Sequence, residues 1–153
     1  MNKSSKPLGF YILILISVIL LILLLMGQTY ALINYERAVD LGLQESAEEV
    51  GLLGIAWARA FALGDTLVYI PMLFIGLIGI LKKTFWGYMF MLCSLAISAY
   101  WPVVNLSAIY FARDEIQLME DKYLSYSILL PLISLYGVWG IWYLLKERKF
   151  FGL

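Results

Sequence analysis

LGFYILILISVILLILLLM, residues 8–26, carries no charged side chain, and its only side-chain hydroxyls are those of Tyr11 and Ser17. A run of this kind matches the hydrocarbon layer of a bilayer, which is ~30 Å thick and takes about 20 helical residues to cross. Lys3 and Lys6 precede it, and Thr29-Tyr30-Ala31 loosely fits a cleavage site, so a signal peptide is the competing reading. The run is longer than the ~7–15 apolar residues of a signal-peptide core. That favours a retained span.

Three further stretches have the same character. Spans are expected at Leu8 to Asn34, Gly51 to Leu81, Phe85 to Phe111 and Tyr123 to Leu145. The fold class is therefore all-α, an integral membrane protein built as a four-helix transmembrane bundle, with residues 1–153 forming one domain. Composition agrees: 63% of residues are apolar and 14% charged, against about 25% charged in soluble domains. There is no His and only one Cys. This removes the commonest general base, an internal disulfide and a Cys-based metal site. Cys93, inside an apolar run, is expected to be a buried small residue.

Charge sets the orientation. Lys3, Lys6, Lys82, Lys83, Lys146, Arg148 and Lys149 all fall on one side of the four spans. The other two loops hold Glu36, Asp40, Glu45, Glu48, Glu49, Asp114, Glu115, Glu120 and Asp121, with Arg37, Arg113 and Lys122. Lys and Arg in short loops mark the cytoplasmic side, so both termini are expected to be cytoplasmic and the acidic loops external. The plasma membrane is the expected location.

Ser46-Ala47-Glu48-Glu49 reads as a capping box that starts the second helix. From Ala47 to Leu81 that helix would be ~52 Å long at 1.5 Å per residue, too long for the hydrocarbon layer unless it protrudes, tilts or bends. Pro71, Pro102 and Pro131 interrupt three helices and free the carbonyls of Leu67, Ser98 and Ser127.

Each span carries an inward stripe at three- and four-residue spacing. The second reads Gly51, Gly54, Ala58, Ala62, Asp65, Tyr69, Met72, Gly76 and Gly79, with Leu53, Trp57, Leu67, Ile70, Phe74 and Leu77 opposite, toward lipid. The first has Ser17, Gln28 and Tyr35, the third Ser94, Ser98, Trp101 and Asn105, and the fourth Ser127 and Ser134. Gln28, Asp65 and Asn105 fall at similar depth below the outer boundary. A bare carboxylate in hydrocarbon is costly, so Asp65 needs donors, a ligand, an ion or a proton. Arg59 lies ~120° around the helix from Asp65; it either snorkels to headgroups or anchors an anionic ligand.

The candidate ligand-binding residues are Asp65, Tyr69, Arg59, Gln28, Asn105, Trp101 and Tyr100. The best-supported expectation is a membrane protein that binds or carries a small molecule or lipid in an outward-facing polar cavity. The alternative is a non-catalytic subunit or assembly factor of a larger membrane complex. An enzyme on lipids, with Asp65 as base and Arg59 as anion clamp, is a weaker third. Intramembrane aspartyl proteolysis needs two membrane carboxylates, and only Asp65 lies within a span. No residue pattern calls for a cofactor, a metal or nucleic acid. Membrane lipid and a small-molecule ligand are the expected partners, with self-association open to so small a bundle.

Overall fold

The computed structural model describes residues 7–151. These form α1 (Leu8–Ile33), a short α2 (Tyr35–Asp40), α3 (Ala47–Leu81), α4 (Phe85–Phe111), α5 (Glu120–Lys146) and a final 3₁₀ turn (Arg148–Phe151). Helices α1, α3, α4 and α5 are long and apolar enough to cross a membrane. There is no strand among the described residues. Lys3 and Lys6 lie outside them.

Local chemistry sets the helix starts. The Ser46 hydroxyl accepts from the Glu49 N–H at 3.3 Å, and the Glu49 carboxylate accepts from the Ser46 N–H at 2.8 Å. This is the capping box read from the sequence, and it starts α3 at Ala47. Thr84 caps α4 by accepting from the Gly87 N–H at 3.2 Å. Between α3 and α4 the chain turns in three residues, with Lys83 at φ 53°. Lys83 then sits 3.7 Å over the Phe150 ring, and Phe150 also meets Phe10 near the start of α1. The α3–α4 turn, the start of α1 and the end of the described chain thus share one end of the bundle.

That end is densely packed. Phe10, Leu13, Leu73, Ile80, Met91, Leu95 and Leu144 are almost completely buried there. Gly79 and Gly87 bring α3 and α4 into backbone contact, and Gly137 lies directly against Ala99 and the Leu95 carbonyl. Small residues allow this approach where water cannot drive association. Most polar groups at this level are matched internally, the buried Tyr143 hydroxyl being without a partner. Ser17 and Tyr136 share a hydrogen bond of 2.6 Å, Tyr136 also donates to the Leu13 carbonyl at 3.1 Å, and Tyr88 donates to the Leu144 carbonyl at 3.0 Å.

α3 is not one straight rod. Gly51 adopts φ 67°, ψ 173°, a region open essentially only to glycine. The first turn, with Glu49, is therefore set at an angle to the rest. Further along, Asp65–Tyr69 form a π turn in which the Ile70 N–H bonds to the Asp65 carbonyl. α1 has a matching π turn at Leu25–Thr29. The two turns touch through a 3.0 Å hydrogen bond between Thr29 and Thr66. Gly51→Ala is expected to cost about 1–3 kcal/mol through backbone strain alone, because open space surrounds the missing Cβ. Thermal unfolding in neutral detergent checks this; an unchanged midpoint would show that the bend can form without glycine.

The π turn corrects part of the stripe reading. Beyond it the buried arc of α3 is wider than the stripe: Gly76 and Gly79 stay buried against α4, and Leu73, Leu77 and Ile80 are buried beside them. Ile70 and Leu77, assigned to lipid from their spacing, are therefore core residues. Cys93 is exposed on the outer surface of α4, not buried, because its neighbours Met91, Ser94 and Leu95 occupy the inward arc. Ser127 likewise faces outward, while Leu130 takes the inward place on α5.

Candidate functional site: a cavity between α3 and α4

Beyond the π turn, the first half of α3 (Ala47–Gly64) packs chiefly against α1 and its π turn, whereas Ile70–Leu81 packs closely on α4. The two helices diverge toward the acidic end, leaving a cavity of about 690 Å³. One wall is a stripe of α3: Val50, Gly54, Trp57, Ala58, Phe61 and Asp65. The facing wall is α4, with Trp101, Val104, Asn105, Ala108 and Ile109. Gln28 of α1 and Tyr126 and Leu130 of α5 close the back. Gln44 and Glu45 from the first acidic loop and Glu115 and Leu118 from the second form the rim. Leu53 and Trp57, assigned to lipid from spacing, border the cavity, and they remain 73% and 61% exposed. The space is thus open toward the side of the bundle.

The rim is held by a buried ion pair. The Lys122 ammonium contacts the Glu49 carboxylate at 2.7 Å and donates to the Gln44 carbonyl at 3.2 Å. The Gln117 N–H donates to the Glu49 carbonyl at 2.8 Å. Gln44 in turn donates to the Gly27 carbonyl at 2.9 Å, within the π turn of α1. Both acidic loops are thereby tied to the start of α3. Nearby, the Tyr126 hydroxyl donates to the Glu45 carboxylate, and the Tyr35 hydroxyl donates to the Glu45 carbonyl at 3.1 Å. Burial, and then the Glu45 carboxylate, push the Tyr35 hydroxyl up to about 12, so it remains a donor across the physiological range.

Of the residues singled out from the sequence, Gln28, Asp65, Trp101 and Asn105 meet on the cavity wall. Tyr69 lies below it, 1% exposed, and shares a short hydrogen bond with Ser98. The Trp101 indole nitrogen is buried beside the Tyr69 hydroxyl without an aligned acceptor. Arg59 and Tyr100 are exposed and do not line the cavity. Arg59 points away from the cavity that Asp65 lines, so it is not placed to clamp an anion against Asp65. From the sequence, Ala58 falls on the inward stripe and Tyr126 is among the possible donors to Asp65, whereas Trp57 and Phe61 are not expected at the site. The wall they form exists only because α3 bends away from α4.

Asp65 is the odd member of this wall. Among the described residues its carboxylate has no hydrogen-bond or ion-pair partner. The Gln28 side chain has none either, and Asn105 donates only to its own helix, at the Trp101 carbonyl (3.0 Å). Buried polar groups are normally satisfied. At the cavity the half-buried Asp65 and Gln28 and the buried Trp101 indole nitrogen lack partners; in the opposite half the buried Tyr143 hydroxyl also lacks one, while Ser17, Tyr88 and Tyr136 are matched. Compared with known proteins, the chain matches no family model, no curated protein and no solved structure.

Proposed function

We propose that this chain is a multi-pass protein of the plasma membrane that binds or carries a small molecule or lipid in the cavity between α3 and α4, whose walls are more apolar than the polar cavity expected from the sequence. The Lys82–Lys83 turn and both termini lie on the cytoplasmic side, following the bias of basic residues, and the cavity faces outward. One observation carries the reading. A bundle this small holds a side-opening cleft of about 690 Å³, within the range of ligand sites, while its other half is packed to backbone contact. Helices in a bundle normally pack along their length, and a structural spacer has no use for so wide a cleft. The open side between Leu53, Trp57 and the α4 wall suits entry from the outer leaflet.

A filled-cavity variant tests this. Ala58 and Ala108 face the cavity from opposite helices. Phenylbutanol, a neutral probe with an aromatic body, is expected to bind the wild type saturably in neutral micelles by calorimetry. The pair Ala58→Phe and Ala108→Phe should lower that affinity about tenfold or more while keeping the thermal midpoint, since the rings occupy existing space. Binding unchanged by the filled cavity, or uptake that never saturates, would reject the proposal.

A further inference from the structure

The chemistry of the wall narrows the ligand. We infer that the cavity takes an amphiphilic organic cation, with an ammonium group set at Asp65 and an apolar body along the aromatic wall. This rests on the reading of the cavity as a ligand site and adds the sign of the ligand's charge.

Four observations converge. Every ionisable lining residue that can carry a charge near neutral pH is acidic: Glu45 and Glu115 at the rim and Asp65 deeper, with no Lys or Arg among the lining residues. The nearby cations are committed elsewhere, Lys122 to Glu49 and Arg59 to the exposed outer face. Asp65 has no partner of its own among the described residues, so a carboxylate in a largely apolar surround lacks the counter-charge that such sites normally hold. The cavity is also lined by the rings of Trp57, Phe61, Trp101 and Tyr126, whose π faces favour an ammonium over a neutral or anionic group. A bare metal ion fits poorly. Among the described residues no three Cys, Asp or Glu side chains converge to hold one, and hard cations ask for several oxygen ligands at once. A diffuse organic cation needs one carboxylate, some amide oxygens and apolar surface. Gln28 and Asn105 supply the amide oxygens, and the cavity supplies the surface. An anionic ligand would meet three carboxylates and no compensating base.

Three probes sharing one body separate charge from shape: phenylbutylammonium, phenylbutanol and phenylbutyrate, titrated into the full chain in neutral detergent at pH 7. The cation is expected to bind about tenfold or more tighter than the alcohol, and phenylbutyrate to be the weakest. In Asp65→Asn the cation should fall to within about twofold of the alcohol, while the alcohol keeps its wild-type affinity. Equal binding of all three probes to the wild type would overturn the charge inference and leave the ligand-site reading standing. Failure of all three to bind would overturn both. A cation preference that survives Asp65→Asn would assign the charge recognition to the rim and reject Asp65 as its seat. The ranking of the three probes on the wild type alone reports the sign of the favoured charge, whether or not Asp65→Asn folds.

Discussion

Lys122→Met is expected to lower the unfolding free energy by about 3 kcal/mol. An exposed ion pair contributes up to about 1 kcal/mol, whereas removing one partner of a buried pair costs about 3–5 kcal/mol. The Glu49 and Lys122 side chains are each 10% exposed, and they sit at the rim rather than in the deep interior, so the lower end of the buried range applies. The loss is large because Glu49 has several tasks. Its carboxylate closes the capping box, and its backbone carbonyl holds the second acidic loop through Gln117. Without the Lys122 ammonium, Glu49 is left as a covered negative charge beside Glu45. In the double variant Glu49→Gln, Lys122→Met no charge is stranded, so stability should recover by about 1–2 kcal/mol relative to Lys122→Met alone. Unfolding titrations in mixed micelles measure both. A single variant as stable as the parent would mean that the acidic loops are held by other contacts.

The overall plan of the bundle was legible because it depends on short-range chemistry. Span lengths follow from runs such as residues 8–26, and the start of α3 follows from Ser46 and Glu49. The meeting of Gln28, Asp65, Trp101 and Asn105 was legible for a similar reason, since depth along a helix is a matter of counting. The cavity itself was not. Helical spacing assigns residues to faces but does not give the distance between helices. The divergence of α3 from α4 arises where Asp65–Tyr69 switch to five-residue hydrogen bonding just before Pro71. A proline there was visible; the extra residue it accompanies was not, and beyond it the buried arc widens to take in Ile70 and Leu77, which spacing puts on the lipid face. The positive φ of Gly51 was hidden in the same way, within a stripe of small residues that all looked suited to close packing. Gly79 and Gly87 use their small size for contact, whereas Gly51 uses its freedom to bend the chain. Arg59 and Tyr100 were drawn toward the site by their chemistry, but their positions on the helix turn them outward.

Asp65→Asn is expected to raise the stability of the ligand-free protein by about 2 kcal/mol. Removing an uncompensated carboxylate from an apolar surround relieves a desolvation cost of several kcal/mol, and an asparagine amide retains part of it. The sign decides between the two broad readings of this chain. If Asp65 were part of a satisfied polar cluster that fixes helix register, as a packed subunit would need, the substitution would remove accepted hydrogen bonds and lower stability. The structure gives that role to other residues: Ser17 with Tyr136, Tyr69 with Ser98, and Glu49 with Lys122 all have partners. Asp65, one turn from Tyr69, has none among the described residues. A group kept at the expense of stability is the usual mark of a site whose missing partner arrives from outside. Thermal unfolding with and without phenylbutylammonium separates the effects. The wild type should gain stability from the cation and the variant should not, although the variant starts higher. A variant that starts lower would place Asp65 in the architecture of the bundle and remove the case for a ligand there.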